Sequence, residues 1–408
     1  MKKIIVFMCV FLCMFSSVFG AEENVASGEE NFETKDNVAV SGENLEATVI
    51  TPETYEFKTL KGEIIEAGEP YDLGSERCQD VKVYIDDEGH KATRLITYRM
   101  SFYEDTTNYA KPFKEGDKVY VYTTFENGKM VQTEIAYRNN TNYMILIVIL
   151  FVSLVILIGG VKGIKSLISL FITILLIFYV LVPGIMSGNN PLVLTVLLSV
   201  ATIIVSFMII SGFNRKSCAA MIGTASGIII SGVFAILFGN LMSLTGMSEE
   251  TGLLAGLSDV AKNFDFRGIL FSGIIIGALG ACMDVGMSIA SALYELKTEK
   301  PDITVKGLMK SGMNIGKDMI GTMTNTLILA YTGGALMTIL IFSLGELDLS
   351  EMLNKEIILE EILRAIAGSV GLICTIPSTT FVSSILIGKM GKRKARKIII
   401  KKERKNGE

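Results

Sequence analysis

The sequence predicts a mainly α-helical polytopic membrane protein of about seven transmembrane helices, preceded by a small extracytoplasmic all-β, OB-like domain. Three observations predict it. The 408 residues are 50% hydrophobic, and after Tyr143 the apolar ones gather into uncharged runs of bilayer-spanning length. Residues 55–138 instead alternate apolar with polar positions, as half-buried strands do. Basic residues then fall in every second loop between the apolar runs, which is the charge asymmetry of a multi-pass chain. The net charge of −4 averages an acidic stretch at 21–56 and a basic end at 389–408.

Residues 1–20 begin with Lys2-Lys3, continue as IIVFMCVFLCMF and end in small residues up to Gly20. A basic start, a short apolar core and small residues make a secretory signal cleaved near Gly20. Residues 21–54 are rich in Glu, Ser, Asn and Gly, with a loose duplication (VASGEENFE and VAVSGENLE), and read as an acidic disordered linker. Five strands follow: YEFKTLKGEIIEA, QDVKVYID, TRLITYRM, DKVYVYTTF and KMVQTEIAY. Asp87-Glu88-Gly89, Lys114-Glu115-Gly116-Asp117 and Glu126-Asn127-Gly128 supply turns. Five strands in so few residues suit a small barrel. Its aromatics, Tyr84, Tyr98, Tyr120, Tyr122 and Phe125, read as core and strand-pairing residues; an exported domain has no nucleic acid to stack on.

The apolar segments are 143–160, 166–186, 191–212, 218–244, 269–293, 323–345 and 364–388. With the β domain outside, Lys162 and Lys165, Arg215 and Lys216, Lys297 to Lys310 and the tail KMGKRKARKIIIKKERKNGE all fall in the cytoplasm. Gly223-x-x-x-Gly227-x-x-x-Ser231 and Gly273-x-x-x-Gly277 offer close helix packing, and Pro183 and Pro377 mark kinks or ends. The stretch ITVKGLMKSGMNIGKDMI has the pattern of a helix lying along the inner membrane surface. The basic tail suits anionic lipid headgroups, at about 1 kcal/mol per basic residue near the surface.

Two apolar segments carry polar groups at membrane depth, where ionisable residues mark function by default. On a helix, Gly273, Gly277, Gly280, Asp284, Ser288, Ser291 and Glu295 share one face. In the next segment Asn314, Asp318, Gly321, Asn325 and Thr332 share another, with Lys317 beside it. The two faces would suit each other, Asp284 meeting Asn325 or a lysine. Three readings stand: structural hydrogen bonding near the membrane boundary, an ion or proton site, and an Asp284–Asp318 protease pair. The last lacks the Gly-x-Gly-Asp surroundings. His90 is the one histidine, the six cysteines form no C-x-x-C pair, and no Gly-rich phosphate loop is present, so neither a metal, a cofactor nor enzymatic chemistry is expected.

The blocks GGVKGIKSLISL, SGFNRKSCAAMIGTASG, FDFRGILFSGIIIGALGACMDVGMSIASAL and GLMKSGMNIGKDMIGTMTNTLILAYTGGAL resemble those of the YibE/F-like bacterial membrane proteins. The resemblance covers nearly all of 143–388 and implies a multi-pass protein of the bacterial plasma membrane. It brings no substrate or catalytic residue. The expectation is a transporter or permease with a site around Asp284, surrounded by the lipid bilayer. The competing expectation is a non-transporting scaffold that binds a protein partner through its β domain and cytoplasmic loops.

Overall fold

The computed structural model describes residues 55–73, 76–87, 89–99, 111–126, 129–247, 264–345 and 348–389. The expected signal (1–20), linker (21–54) and basic tail beyond Lys389 lie outside the described residues. The chain divides into two compact units, Met1–Ser153 and Leu154–Glu408.

The first unit holds six strands: β1 (Tyr55–Ala67), β2 (Tyr71–Leu73), β3 (Glu76–Asp87), β4 (His90–Arg99), β5 (Lys118–Glu126) and β6 (Lys129–Arg138). Five of them are the strands expected from alternation. β2 is three residues long, too short for any period to reveal it. All pairings are antiparallel, in the order β2-β3-β1-β5-β6, with β4 also on β3. β5 shows why the pattern works: Val119, Val121, Thr123 and Phe125 are buried, while Lys118 and Tyr122 face out. Leu60, Ile64, Val81, Val83, Ile85 and Ile96 complete the core from the other strands.

Residues 111–117 have little regular structure, so side chains must satisfy their backbone. Gln79, 1% exposed, does part of this. Its Nε2 donates to the carbonyls of Gly68 and Phe113, each at 2.9 Å, and its Oε1 accepts from Phe113 N at 2.7 Å. Arg138 holds the same segment from outside. Its guanidinium donates to Asp117 Oδ2 at 2.7 Å and to the carbonyls of Lys111 (2.8 Å) and Pro112 (2.6 Å). It also lies 4.2 Å from the centre of the Phe113 ring. Among the expected core aromatics, Phe125 is buried and Tyr98 packs edge-on against Phe113 at 4.7 Å. Tyr120 stacks at a tilt with Tyr137, 5.1 Å between centroids. Tyr84 and Tyr122 lie outside the core, 37% and 56% exposed on the outer face, though Tyr122 meets Tyr137 of the neighbouring strand edge-on at 6.5 Å.

The helices are α1 (Thr141–Leu176), a π turn (Ile177–Leu181) leading into α2 (Val182–Met186), α3 (Pro191–Ser211), α4 (Arg215–Leu241) and α5 (Phe266–Glu299). Then come α6 (Val305–Gly334), α7 (Leu336–Leu344), α8 (Leu349–Leu353) and α9 (Glu356–Gly388). Four of the long helices start at a side-chain cap that satisfies an otherwise orphaned amide. Asn190 accepts from Val193 N (3.1 Å) and Asn214 from Ser217 N (3.0 Å). Asp265 accepts from Gly268 N (2.8 Å) and Thr304 from Gly307 N (3.1 Å).

α9 packs against α4, α5 and α6. Its seam with α4 is the expected Gly223–Gly227–Ser231 stripe. A Cβ on Gly223 would fall 1.9 Å from Thr379 Oγ1, and one on Gly227 1.9 Å from Thr375 Oγ1 and 2.7 Å from the Gly371 carbonyl. Ser231 Oγ donates to the Ala367 carbonyl at 2.8 Å across the same seam. The second expected stripe packs only in part. Gly277 lies under Tyr331 Oη, whereas nothing is within 4 Å of where a Gly273 Cβ would be.

Five described helical stretches are long and apolar enough to cross a membrane, or six if α6 and α7, bent by 53°, count as one span. That is fewer than the seven expected. The difference arises because the first two expected segments join in one 46-residue stretch, Thr141–Met186. Gly160 interrupts it with φ 53° and ψ −134°, a backbone open to glycine. Pro183 follows the π turn, but Pro377 lies within α9, which continues to Gly388. The expected surface-lying helix is also corrected. From Val305 that stretch is the first half of α6, and it packs into the bundle. A Cβ on Gly312 would fall 2.6 Å from Thr380 Cγ2, and one on Gly316 2.1 Å from Ile376 Cγ2. Glycine at these positions lets α6 approach α9 where a larger residue would hold it off.

Gly227→Leu is expected to lower the melting temperature of the detergent-solubilised chain by at least the equivalent of about 1–3 kcal/mol, the usual cost of overpacking. Gly333→Ala, in open space, is expected to leave it unchanged. Equal melting temperatures for Gly227→Leu and wild type would contradict the seam.

Candidate functional site

The α5 face expected to carry function points away from the bundle core. Val285, Gly286, Ile289 and Leu293 turn inward and are buried, so helical spacing turns Asp284, Ser288 and Glu295 outward, where they are exposed. Ser291 is half-buried. On α6, Leu308, Gly312 and Gly316 face the bundle, leaving Asn314, Lys317, Asp318 and Asn325 exposed. The two polar faces therefore do not close on one another. Among the described residues no hydrogen bond or ion pair reaches the side chain of Asp284, Ser288, Ser291, Asn314, Lys317, Asp318 or Asn325. The expected meeting of Asp284 with Asn325 or a lysine is absent, because α6 presents its small edge to the bundle.

The faces do adjoin at one end, where Tyr331 Oη stands over Gly277, at 2.2 Å from where its Cβ would be. At the other end a short turn connects α5 to α6, and a lysine that in sequence only marks a cytoplasmic loop holds it. Lys297 is 5% exposed, and its Nζ donates to the carbonyls of Pro301 (2.8 Å) and Ile303 (2.9 Å). A cation in the last turn of a helix also opposes the negative end of its dipole.

A second polar group sits at the start of α9. Glu356 Oε1 accepts from the amides of Thr245 and Gly246 (3.1 Å to the latter) and from Thr245 Oγ1 (2.8 Å), holding the turn after α4. One turn on, Glu360 is 8% exposed and its Oε1 has no partner among the described residues. Arg364 pairs with Glu361 at 3.5 Å. Arg267 lies 5.8 Å from the centre of the Phe271 ring and donates to the Gly239 carbonyl at 3.4 Å. Glu356, Glu360 and Arg364 recur every four residues, a usable signal for one helical face at the very start of the expected last span (364–388).

Buried hydroxyl groups form a third feature, one that no apolar period reveals. Thr195, Ser199 and Thr202 on α3, and Thr379, Thr380, Ser383 and Ser384 on α9, are buried with no partner for their oxygens among the described residues. Small hydroxylated side chains let helices approach closely, as on α9 against α4. A cleft of about 200 Å³ is lined by Ile185, Gly188, Asn189, Asn190, Pro191, Phe264 and Asp265, none of them in the polar constellation. Among the described residues no group of three or more His, Cys, Asp or Glu side chains is placed to hold a metal ion.

Lys297→Met is expected to leave two turn carbonyls without their ammonium partner and to destabilise the chain by about 1–3 kcal/mol. Thermal unfolding in detergent measures this; an unshifted midpoint would mean that water replaces the lysine at no cost.

No curated protein and no solved structure matches the chain. The sequence model of one family, described as YibE/F-like protein, matches residues 147–389, from within α1 to the end of α9. That match takes in more than half of the 408 residues, and the chain belongs to the YibE/F-like family.

Proposed function

We propose that this is a permease of the bacterial plasma membrane, in which Asp284 is the group that responds to an ion or a proton. The observation that carries the reading is a carboxylate midway along an apolar helix, exposed and without a side-chain partner among the described residues. A carboxylate withdrawn from water must find a cation, take up a proton or reach water, and each of these couples it to ion movement. Ser288 and Asn325 offer hydroxyl and amide groups on the adjoining faces, and Lys317 offers compensating charge. Seven crossings complete the architecture. The 46-residue stretch Thr141–Met186 would be about 69 Å long at 1.5 Å per residue, more than twice the roughly 30 Å of hydrocarbon, and its break at Gly160 supports two crossings. An odd number of crossings agrees with the loop charges, which favour the N-terminal unit outside and the C-terminus in the cytoplasm.

The N-terminal unit is read as OB-like. Around the sheet, β4-β3-β1-β5-β6 runs as an OB barrel does, with β2 a short addition. Arg94 on β4 donates to the Met130 carbonyl on β6 at 2.9 Å, where such a barrel would close.

The direct test is flux of protons and monovalent cations in proteoliposomes of the full chain. Asp284→Asn is expected to reduce flux tenfold or more; flux equal to wild type would remove Asp284 from the mechanism.

One observation favours the scaffold reading as a second. Phe57 (74% exposed), Leu95 (70%), Leu73 (60%) and Tyr122 (56%) stand on the outside of the β unit. Crosslinking in native membranes is expected, on that reading, to capture one stoichiometric protein partner, and Phe57→Ser with Leu95→Ser to release it. A partner retained by the double variant would count against docking there.

A further inference from the structure

We propose that the exposed polar faces of α5 and α6 form the contact between two copies of this chain, in which Asp284 of one copy pairs with Lys317 of the other. Both residues are exposed, and neither has an ion-pair partner among the described residues of its own chain. Charges at this depth are too costly to leave against lipid tails. Whatever covers the face must therefore answer both signs.

A second copy does so by symmetry. α5 and α6 run antiparallel on either side of the turn held by Lys297. Asp284 lies about 22 Å along α5 from its end at Glu299, and Lys317 about 18 Å along α6 from its start at Val305, at 1.5 Å per residue. The two charges thus stand within about one helical turn of the same level, a difference that a lysine side chain spans. Copies with the same topology are related by an axis along the membrane normal, which preserves levels. A two-fold axis would then bring each carboxylate opposite the partner's ammonium, twice in one contact. Because the hairpin exposes both signs at about one level, a second copy offers the complementary charge to each. A face of single charge on another protein would answer only one of them.

The surface also permits the approach. Gly273 and Gly280 on α5 and Gly321 on α6 have nothing within 4 Å of where a Cβ would be, so among the described residues no group fills the space beside them. Helices associate through small residues where an interhelical polar contact holds them. The contact uses the same carboxylate as the ion reading, but flux tests that reading and the linked peptide tests this one, so each can fail separately.

Two tagged full-length variants, Asp284→Asn and Lys317→Met, are co-expressed, and the membranes are treated with a zero-length carbodiimide that joins carboxyl to amine. The first variant retains only Lys317 and the second only Asp284, so a bond between these residues can form only across copies. The expected result is a species of twice the chain mass, carrying both tags and a linked 284–317 peptide, formed on co-expression and absent from either variant alone. Wild-type chain in nanodiscs is expected to be dimeric, with Asp284→Lys and Lys317→Asp each weakening the dimer at least tenfold and the double exchange restoring it. The absence of the linked peptide on co-expression would overturn the proposal. So would monomeric wild-type chain, a double exchange no better than the single ones, or a different protein linked at Asp284.

Discussion

The approach of α4 to α9 sets the geometry of the helical unit. At Gly223, Gly227 and Gly371 the two backbones come so near that no side chain fits between them. Hydroxyls take the place of larger groups, with Thr375 and Thr379 in the seam and Ser231 bonded across it. In a hydrocarbon surround no solvent drives helices together, so close van der Waals contact and interhelical hydrogen bonds must do it. The other contacts of α9 follow from this one. With its α4 side fixed, α9 offers Ile376 and Thr380 to the glycines of α6, and Leu363 and Ala367 join a core with Leu270, Phe271 and Ile274 of α5.

The β unit solves a different problem. Its core is ordinary alternation, but the segment before β5 has no ladder of its own. Gln79 from below and Arg138 from outside supply the missing partners. A buried amide is well suited to this, because it donates and accepts at once. The arginine adds planarity, lying on Phe113 while its nitrogens reach two carbonyls and a carboxylate.

Much of this architecture was legible in the sequence. Period-two alternation located five strands, and Asn190, Asn214, Asp265 and Thr304 stand where helices begin. The Gly223 stripe announced a packing surface. What escaped has a common physical cause: periodicity reports which residues share a face, not what that face meets. Spacing defines the Asp284 face and predicts that it meets the polar face of α6, whereas the structure leaves its side chains exposed. Hydropathy alone also misread the first half of α6, since its lysines point out while Leu308, Gly312 and Gly316 face the bundle. Lys297 and Glu360 were hidden for the opposite reason. Charges beside an apolar segment are normally solvated, and only tertiary structure shows that these two are not.

The turn at Lys297 bears on how α5 and α6 can move. One ammonium grips two carbonyls of the connection, and Thr304 caps the helix that leaves it, so this end of the hairpin is tied in three places. The opposite end of α6 passes at Ala335 into α7, which departs at 53°. Rearrangement of the pair therefore costs least as a swing about the lysine end. A swing of that kind displaces Tyr331 and Gly277 far more than it displaces Asn314 or Ser291, and it would open the hairpin as a forceps opens, from the tip.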